Sequence, residues 1–312
     1  MRKKLISVVL PAHNESGNVE IIYNRIDSIF PYDRYDLELI FVDDGSTDDT
    51  LEKIVNLESN RSGIFYIELS RNFGHQNALK AGLDFAGGDC VISMDCDLQH
   101  PPELIPKLIE KWEDGFDIVY TLRRANDNIP YFKRKSSNFF YLFFSWISDF
   151  KIERGVSDFR LIDRRVVDVL SRFKENDLFI RGLIRWIGFR QVSIDYLPDK
   201  RHSGLSKYSN IKMVRFAFSA ITSLSIRPLY LAVYMGFFLS LLSFLYLPYV
   251  IISYYYSGHY AYGWGSVILT IVFFAGIQLC VLGIIGIYIG KMFMQVKDRP
   301  LYLVKSTNLK GK

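Results

Sequence analysis

Two aspartates, Asp95 and Asp97, stand one residue apart directly after an apolar run at residues 90–94 (CVISM). Paired carboxylates repel a diphosphate unless a cation lies between them. Mg²⁺ and Mn²⁺ are hard cations that bind one or two carboxylates together with phosphate oxygens and water. The pair therefore predicts a site for a divalent cation and a nucleotide diphosphate, with Gln99 as a further oxygen ligand. Such a cation neutralises charge on the departing diphosphate.

Polar residues also follow two earlier apolar runs, at residues 5–10 (LISVVL) and 37–42 (LELIFV). The residues predicted to contact a nucleotide are Asn14 and Glu15 after the first run, and Asp43 and Asp44 after the second. A carboxylate accepts a hydrogen bond from the imide N–H of uracil or a ring N–H of guanine. We expect the two aspartates to bind the base, and Asn14 and Glu15 to hold the ribose or the base. The alternative for the second group is an N-cap cluster that stabilises the following helix.

The elements that position these residues alternate along the first 120 residues. Strands are predicted over residues 5–10, 37–42, 64–69, 90–94 and 116–120, and helices over residues 16–30, 48–58, 75–86 and 103–112. The strands are continuously apolar, which is typical of strands buried on both faces of a mostly parallel sheet. The order predicts a doubly wound α/β layer, in which ligands bind beyond the carboxyl ends of the strands. The three polar loops therefore belong to one cleft.

Composition limits the classes of protein to which the chain can belong. The 312 residues are 49% apolar, which is too apolar for a disordered chain, and 23% charged, which is too charged for a polytopic transporter. The net charge of +5 suits a surface that faces phosphates or anionic lipid, but it is too mild to indicate nucleic-acid binding. Three cysteines without a CxxC spacing argue against a disulfide-stapled secreted fold.

A long uncharged stretch predicts the membrane-associated part of the chain. No Asp, Glu, Lys or Arg occurs between Arg227 and Lys291, which is enough for two spans of about 20 residues, near residues 229–252 and 266–289. The alternative is a buried hairpin in a large soluble core. Basic residues flank the stretch on both outer sides, and the connecting loop has none, so we expect both termini and the N-terminal region to be cytoplasmic.

Two further segments are predicted to lie at the bilayer surface. Residues 131–147 run from a basic cluster into an aromatic block, and residues 211–227 alternate large apolar with basic side chains. The alternative for the first segment is an amphipathic helix of the core. Between the N-terminal α/β region and the second segment, residues 199–210 are small, polar and basic. They are predicted to form a loop that closes over the nucleotide diphosphate, and the alternative is a solvated linker.

Four stretches resemble the signatures of glycosyltransferase family 2, whose catalytic domain has the GT-A fold. They are PAHNE (residues 11–15), VDDGSTDD (42–49), SRNFGHQNAL (70–79) and MDCDLQHPPE (94–103). VSDFRL (156–161), RHSGLSKY (201–208) and the hairpin followed by YIGKMFMQVKDRPLYLV (288–304) narrow the resemblance to polyprenyl-phosphate glycosyltransferases. That group includes dolichol-phosphate mannose synthase and the bactoprenol glucosyltransferases. The resemblance covers nearly the whole chain.

The resemblance implies a role for each matching position. The implied metal ligands are Asp95, Asp97 and Gln99, and the implied nucleotide-sugar site comprises Pro11, Asn14, Glu15, Asp43, Asp44, Asp95 and Arg201. The lipid-phosphate site implied by the family and by the nearby interfacial segments comprises Arg123, Lys133, Arg134, Ser137 and Lys207. Asp158 stands where inverting members carry their general base. A phosphate acceptor is already ionised at pH 7, so the alternative is that Asp158 orients the acceptor or the sugar.

The resemblance also implies an architecture. A cytoplasmic GT-A domain over residues 1–210 is followed by an interfacial helix at 211–228, a transmembrane hairpin at 229–290 and a cytoplasmic tail at 291–312. This makes the chain a multi-pass protein of the cell (inner) membrane. His13, His75 and His100 are scattered singly, and we expect them to be hydrogen-bonding residues rather than catalysts.

The predicted function is metal-dependent, inverting transfer of a single sugar to a polyprenyl phosphate. Glucose from UDP-glucose ranks first among the candidate sugars. Other donors (GDP-mannose, UDP-GlcNAc or a 4-amino-arabinose donor) remain alternatives, as does a non-catalytic, membrane-tethered scaffold with a GT-A domain. A processive polysaccharide synthase is disfavoured because the string at residues 182–186 (GLIRW) lacks the Gln of the QxxRW motif. The implied partners are the nucleotide sugar, the lipid phosphate and the bilayer, with homo-oligomerisation left open.

Overall fold

The computed structural model describes residues 3–124, 155–176, 178–197, 225–256 and 263–309. The chain divides into two compact units. The first holds the described residues up to 197 and those from 299 onwards, and the second holds the described residues from 225 to 298.

The first unit is built on one eight-stranded sheet. Its strands are β1 (Lys4–Ala12), β2 (Tyr35–Asp43), β3 (Ile64–Leu69), β4 (Cys90–Ser93), β5 (Ile118–Arg123), β6 (Val156–Asp163), β7 (Gln191–Tyr196) and β8 (Val304–Thr307). They lie in the order β7-β5-β6-β4-β1-β2-β3-β8. Strand β1 pairs in parallel with β2 and β4, β2 with β3, and β5 with β7. Strand β6 runs antiparallel between β4 and β5, and β8 runs antiparallel along β3. The predicted mostly parallel α/β sheet is confirmed.

In the described part of the first unit, six helices lie between or after these strands. They are α1 (Val19–Ile29), α2 (Thr50–Asn60), α3 (His75–Phe85), α4 (Ile105–Glu113), α5 (Arg164–Leu170) and α6 (Ile180–Ile187). The helix predicted over residues 103–112 instead begins as a 3₁₀ turn at Pro102–Leu104. Proline lacks an N–H and is accepted best in the first turn of an α-helix, which agrees with Pro106 as the second residue of α4.

Both faces of the sheet are covered, as continuous apolar strands predict. Along β1, Val8 and Leu10 belong to the core cluster on one side of the sheet, and Val9 belongs to the cluster on the other. Helix α3 packs so closely on the second face that a Cβ on Gly82 would overlap the Val9 side chain. This close packing fixes the position of α3, whose first residue lies near the candidate site.

The last strand lies within residues 291–312, for which the sequence predicts a cytoplasmic tail and indicates no strand. Strand β8 pairs with the outer edge of β3, with Thr307 opposite Ile67. The Lys305 Nζ lies 2.6 Å from Glu68 Oε1, and the backbone N–H of Tyr66 donates to Asn308 Oδ1 at 2.8 Å. The segment thus covers backbone groups that an edge strand otherwise exposes.

The second unit contains two long helices, α7 (Arg227–Tyr256) and α8 (Trp264–Val296). Among the residues that the structure describes, one helical segment, Thr270–Val296, is long and apolar enough to cross a membrane. Helix α7 contains Pro248, and its described apolar part, Arg227–Leu239, is shorter. The predicted two-helix hairpin is therefore not confirmed. The segments at residues 131–147 and 211–224 lie outside the described residues.

Candidate active site

The loops that follow β1, β2 and β4 meet at one edge of the sheet, because these strands are parallel neighbours. Asn14 joins the first two loops. Its Oδ1 accepts a hydrogen bond from the backbone N–H of Thr47 (2.8 Å), and its own N–H donates to Ser46 Oγ (3.0 Å). Asn14 adopts a φ of 57°, in the left-handed region that Asn tolerates better than most residues. The loops after β1 and β2 are thus joined by hydrogen bonds at the edge where the sequence predicts a cleft.

The two aspartates that end β2 have different surroundings. Asp44 accepts hydrogen bonds from the backbone N–H groups of Phe73 (2.7 Å) and Gly74 (2.9 Å), so its carboxylate fixes the loop between β3 and α3. Asp43 accepts one bond through Oδ2 from the N–H of Ser46 (3.2 Å), while its buried Oδ1 has no hydrogen-bond partner among the described residues. Burial raises the pKa of both carboxyls. Of the two aspartates, Asp43 therefore has a carboxylate oxygen available to accept a hydrogen bond from a nucleobase.

Glycine is required at position 45, where the chain turns out of β2. Gly45 has a φ of +63°, and a Cβ there would lie 2.6 Å from the backbone of Arg71 and Asn72. The turn therefore brings the β2 and β3 loops into direct contact. Of the other predicted donor residues, Pro11 is buried near the end of β1, and Glu15 accepts a bond from Asn18 Nδ2 at 2.6 Å in the turn that precedes α1.

The loop after β4 holds the predicted metal ligands close together. Asp97 accepts hydrogen bonds from Gln99, through Oδ1 from the backbone N–H (3.1 Å) and through Oδ2 from the side-chain amide (2.6 Å). Arg123, predicted to bind lipid phosphate, donates from Nη1 to Gln99 Oε1 at 3.3 Å. The amide oxygen of Gln99 therefore faces Arg123, and Gln99 would ligate a metal only after its amide rotates.

The chemistry of Asp95 and Asp97 fits Mg²⁺ or Mn²⁺. Asp95 Oδ1 is buried and accepts no hydrogen bond from the described residues, although His75 Nε2 lies 3.3 Å away. Burial raises the pKa of the Cys96 thiol between them, which leaves oxygen as the donor type. No group of three or more His, Cys, Asp and Glu side chains in the described part of the chain is arranged to hold a metal. Two carboxylates suit a cation that takes its other ligands from a diphosphate and water.

Asp158 lies next to this loop because β6 runs antiparallel to β4. Arg160 pairs with Ser93, and continuing the register by two residues places Asp158 opposite Asp95. The Asp158 side chain is only 4% exposed. Its Oδ1 accepts from Arg181 Nε (2.7 Å) and Arg160 Nη2 (3.2 Å), and its Oδ2 accepts from Arg181 Nη2 (2.7 Å).

The charges around Asp158 decide its protonation. Burial alone raises the pKa of this carboxyl, but the charge and hydrogen bonds of Arg181, with those of His75 and Arg160, hold the pKa well below its usual range. Burial lowers the pKa of Arg160 to about 10, which leaves it protonated at neutral pH. Desolvation lowers the pKa of His75, but its hydrogen bond to Asp158 and the charges of Asp95 and Asp158 outweigh it and raise the pKa to about 9.

The histidines are closer to the site than their scattered positions indicated. His100 Nδ1 accepts from the backbone N–H of Asp95 (3.0 Å), and its Nε2 is hydrogen-bonded to Ser157 Oγ (2.7 Å). This bonding joins the β4 loop to β6 and agrees with the expected hydrogen-bonding role. His75 begins α3 and lies between Asp95 and Asp158, 3.4 Å from the latter.

Sequence reasoning missed His75 and Arg181 as members of this cluster. The signals were the SRNFGHQNAL stretch, which ends its loop at His75, and the string at residues 182–186, which Arg181 directly precedes. The remaining predicted site residues, Lys133, Arg134, Ser137, Arg201 and Lys207, lie outside the described residues.

Residues 7–170 match the family described as Glycosyl transferase family 2. The uncharacterized glycosyltransferase YkcC of Bacillus subtilis is 39% identical over 301 residues, which cover 96% of this chain and 93% of that protein. The SfII prophage-derived bactoprenol glucosyl transferase of Shigella flexneri is 38% identical over 304 residues, which cover 97% of this chain and 98% of that protein. Among solved structures, mannosyl-3-phosphoglycerate synthase from Rubrobacter xylanophilus has a TM-score of 0.49 at 17% identity, over 70% of this chain and 72% of that one.

The family match spans more than half of the chain and contains the β1, β2 and β4 loops described above. The relatives align with this chain almost from end to end. Together with the GT-A-like α/β sheet, these similarities show that the chain is an enzyme of glycosyltransferase family 2.

Proposed function

We propose that the enzyme transfers a single sugar to a polyprenyl phosphate with inversion at the anomeric carbon. UDP-glucose, which supplies glucose, is the first candidate for the donor. The observation that supports this most directly is the position of Asp95 and Asp97, between the nucleotide loops of β1 and β2 and the cluster around Asp158 on β6. The relative named bactoprenol glucosyl transferase, similar over 97% of this chain, supports a lipid-linked acceptor and a glucosyl donor.

The nucleotide is proposed to lie over the ends of β1 and β2. Asp43 Oδ1, buried and without a hydrogen-bond partner among the described residues, suits the N3–H of uracil or the N1–H of guanine. UDP-glucose is therefore the first donor to test, with GDP-mannose, UDP-GlcNAc and a 4-amino-arabinose donor as the alternatives.

Asp95 and Asp97 are proposed to hold a divalent cation, which when bound neutralises negative charge on the departing diphosphate. A phosphate oxygen of the acceptor forms the new bond to the anomeric carbon. The bond from that carbon to the donor diphosphate breaks, and its electron pair leaves with the diphosphate. The attacking phosphate is ionised at neutral pH, so no proton has to be removed from it.

The enzyme is proposed to work at the cytoplasmic face of the cell (inner) membrane, as a multi-pass protein with both termini in the cytoplasm. The apolar segment Thr270–Val296 supports a membrane location. Basic residues on both outer flanks of the uncharged stretch, and their absence from the loop between the two helices, support this orientation.

The proposal is tested with detergent-purified full-length protein, polyprenyl phosphate and each donor in turn, with Mn²⁺ or with EDTA. We expect one donor to give a lipid-linked sugar and an equal amount of nucleoside diphosphate, and EDTA to abolish both. A scaffold that retains the fold without catalysis would release no nucleotide from any donor.

A further inference from the structure

We propose that Arg181 binds the phosphate group of the acceptor, and that Asp158 is a positioning residue that holds Arg181 rather than the acceptor of a proton. The inference rests on the proposed transfer to a lipid phosphate and identifies part of the acceptor site. It assigns a role to a residue of α6 that neither the motifs nor the family resemblance singled out.

The hydrogen bonds of Asp158 argue against a general base. Both carboxylate oxygens accept from Arg181 at 2.7 Å, and Oδ1 also accepts from Arg160 at 3.2 Å. The side chain is 4% exposed. A base must come within hydrogen-bond reach of the proton that it removes. The two guanidinium groups make three hydrogen bonds to Asp158, and Gln76 Nε2 donates a fourth to Oδ2 at 3.4 Å. An ionised acceptor phosphate has no proton that must leave.

The two arginines around Asp158 differ in what they present to the cleft. The Arg160 side chain is 1% exposed, whereas that of Arg181 is 38% exposed. Because Arg160 is buried, Arg181 is the one of these two arginines whose guanidinium reaches solvent. Its planar set of N–H donors matches a phosphate, and the bidentate bond to Asp158 fixes its orientation before a ligand arrives.

The order of the strands indicates which phosphate Arg181 meets. From one side to the other, the sheet presents the base-binding loops on β2 and β1, the Asp95–Asp97 loop on β4, and Asp158 on β6. A donor that lies across these loops places its sugar beyond the diphosphate, towards β6. In an inverting displacement the acceptor approaches the anomeric carbon opposite the departing diphosphate. Arg181, held on the β6 side, therefore suits the incoming phosphate better than the leaving one.

The experiment measures KM for polyprenyl phosphate and KM for the donor separately, in wild-type enzyme and in Arg181→Gln. Loss of charge-assisted hydrogen bonds to a phosphate is expected to raise the acceptor KM about 10- to 100-fold, with a much smaller change in the donor KM. Arg185→Gln is the matched control, because Arg185 is an exposed arginine of the same helix. An unchanged acceptor KM in Arg181→Gln, or an equal rise in the donor KM, overturns the inference.

Asp158→Asn tests the positioning role. If Asp158 orients Arg181, the variant raises the acceptor KM as Arg181→Gln does and retains turnover at saturating acceptor. If Asp158 is a base, turnover is lost at every acceptor concentration while KM stays constant, and the inference is wrong. Should Arg181→Gln fail to fold, Arg181→Lys replaces it, because lysine keeps the charge but loses the two-point geometry. An acceptor KM that matches wild type in Arg181→Lys then overturns the inference.

The two proposals fail in different ways. A wild-type enzyme that forms no lipid-linked sugar from any donor refutes the proposed function. A wild-type enzyme that forms the product, together with an Arg181→Gln variant whose acceptor KM is unchanged, refutes only the assignment of Arg181.

Discussion

Replacing Asp97 by alanine tests the proposed metal site most directly. The Asp97 carboxylate accepts hydrogen bonds from Gln99 at 3.1 and 2.6 Å, in a part-buried loop outside the sheet. A hydrogen bond to a charged group contributes about 1.5–3 kcal/mol to stability. Water replaces the carboxylate as a partner at this part-buried site, so we expect the two lost bonds to cost less than their sum of about 3–6 kcal/mol and the Asp97→Ala variant to stay folded.

The effect on catalysis should be much larger than the effect on stability. A bound cation contributes several kcal/mol of charge stabilisation to the transition state. Each 1.36 kcal/mol changes the rate tenfold, so losing one of the two carboxylate ligands should lower kcat by about 10²- to 10³-fold. Because the cation is bound less tightly, the remaining activity should need more Mn²⁺ to saturate.

The assay follows release of nucleoside diphosphate as Mn²⁺ is titrated, with thermal unfolding measured on the same samples. Asp114→Ala serves as the control, since Asp114 is a half-exposed aspartate that directly follows α4 and pairs with Lys111 at 2.8 Å. We expect Asp114→Ala to keep the wild-type rate and the wild-type demand for Mn²⁺. A wild-type kcat in Asp97→Ala, or full activity of the unaltered enzyme in EDTA, would refute the reasoning.

Three further predictions follow from the fold and the sequence. Gly45→Ala should lower the free energy of unfolding in urea by about 1–3 kcal/mol because of the positive φ and the clash with Arg71, whereas Gly17→Ala, with no atom within 4 Å of its added Cβ, should not. The pKa of Asp158 is lower in the folded than in the unfolded state, so its contribution to stability is complete above about pH 4 and is lost as the pH falls through the folded value. In Asp158→Asn, the free energy of unfolding should accordingly change less as the pH is lowered into the acid range. An unchanged pH dependence would contradict the ion pairing. In intact cells, a cysteine introduced near Gly258 should react with an impermeant reagent and one near Lys310 should not, and the reverse labelling would overturn the proposed orientation.

The part of the fold that the sequence predicted is the part with strong local patterns. Strands β1 to β4 are apolar runs bounded by polar loops, and burial on both faces requires that composition. The same logic located Asp43, Asp95 and Asp97 at one edge of the sheet, because parallel strands place their carboxyl ends together. The boundaries shifted where local chemistry intervened, as Pro106 shows at the start of α4.

The rest depends on contacts between distant segments. Strand β8 has one apolar residue in four (VKST), so no periodicity marks it, and the edge of β3 supplies its pairing. Asp158 and Arg181 lie 23 residues apart, and their bidentate contact arises because β6 and α6 converge beside the β4 loop. His75 comes from yet another element. A sequence without an alignment does not show such convergence.

The pairing of β8 with β3 also constrains how the chain is threaded through a bilayer. The segment before residue 198 and the segment after residue 298 both contribute strands to one sheet, and a folded sheet cannot lie on two sides of a membrane. We therefore expect the chain between them to cross an even number of times. If Thr270–Val296 spans the bilayer, we expect α7 to supply the second crossing. A protein with a single crossing would leave the outer edge of β3 without its partner strand.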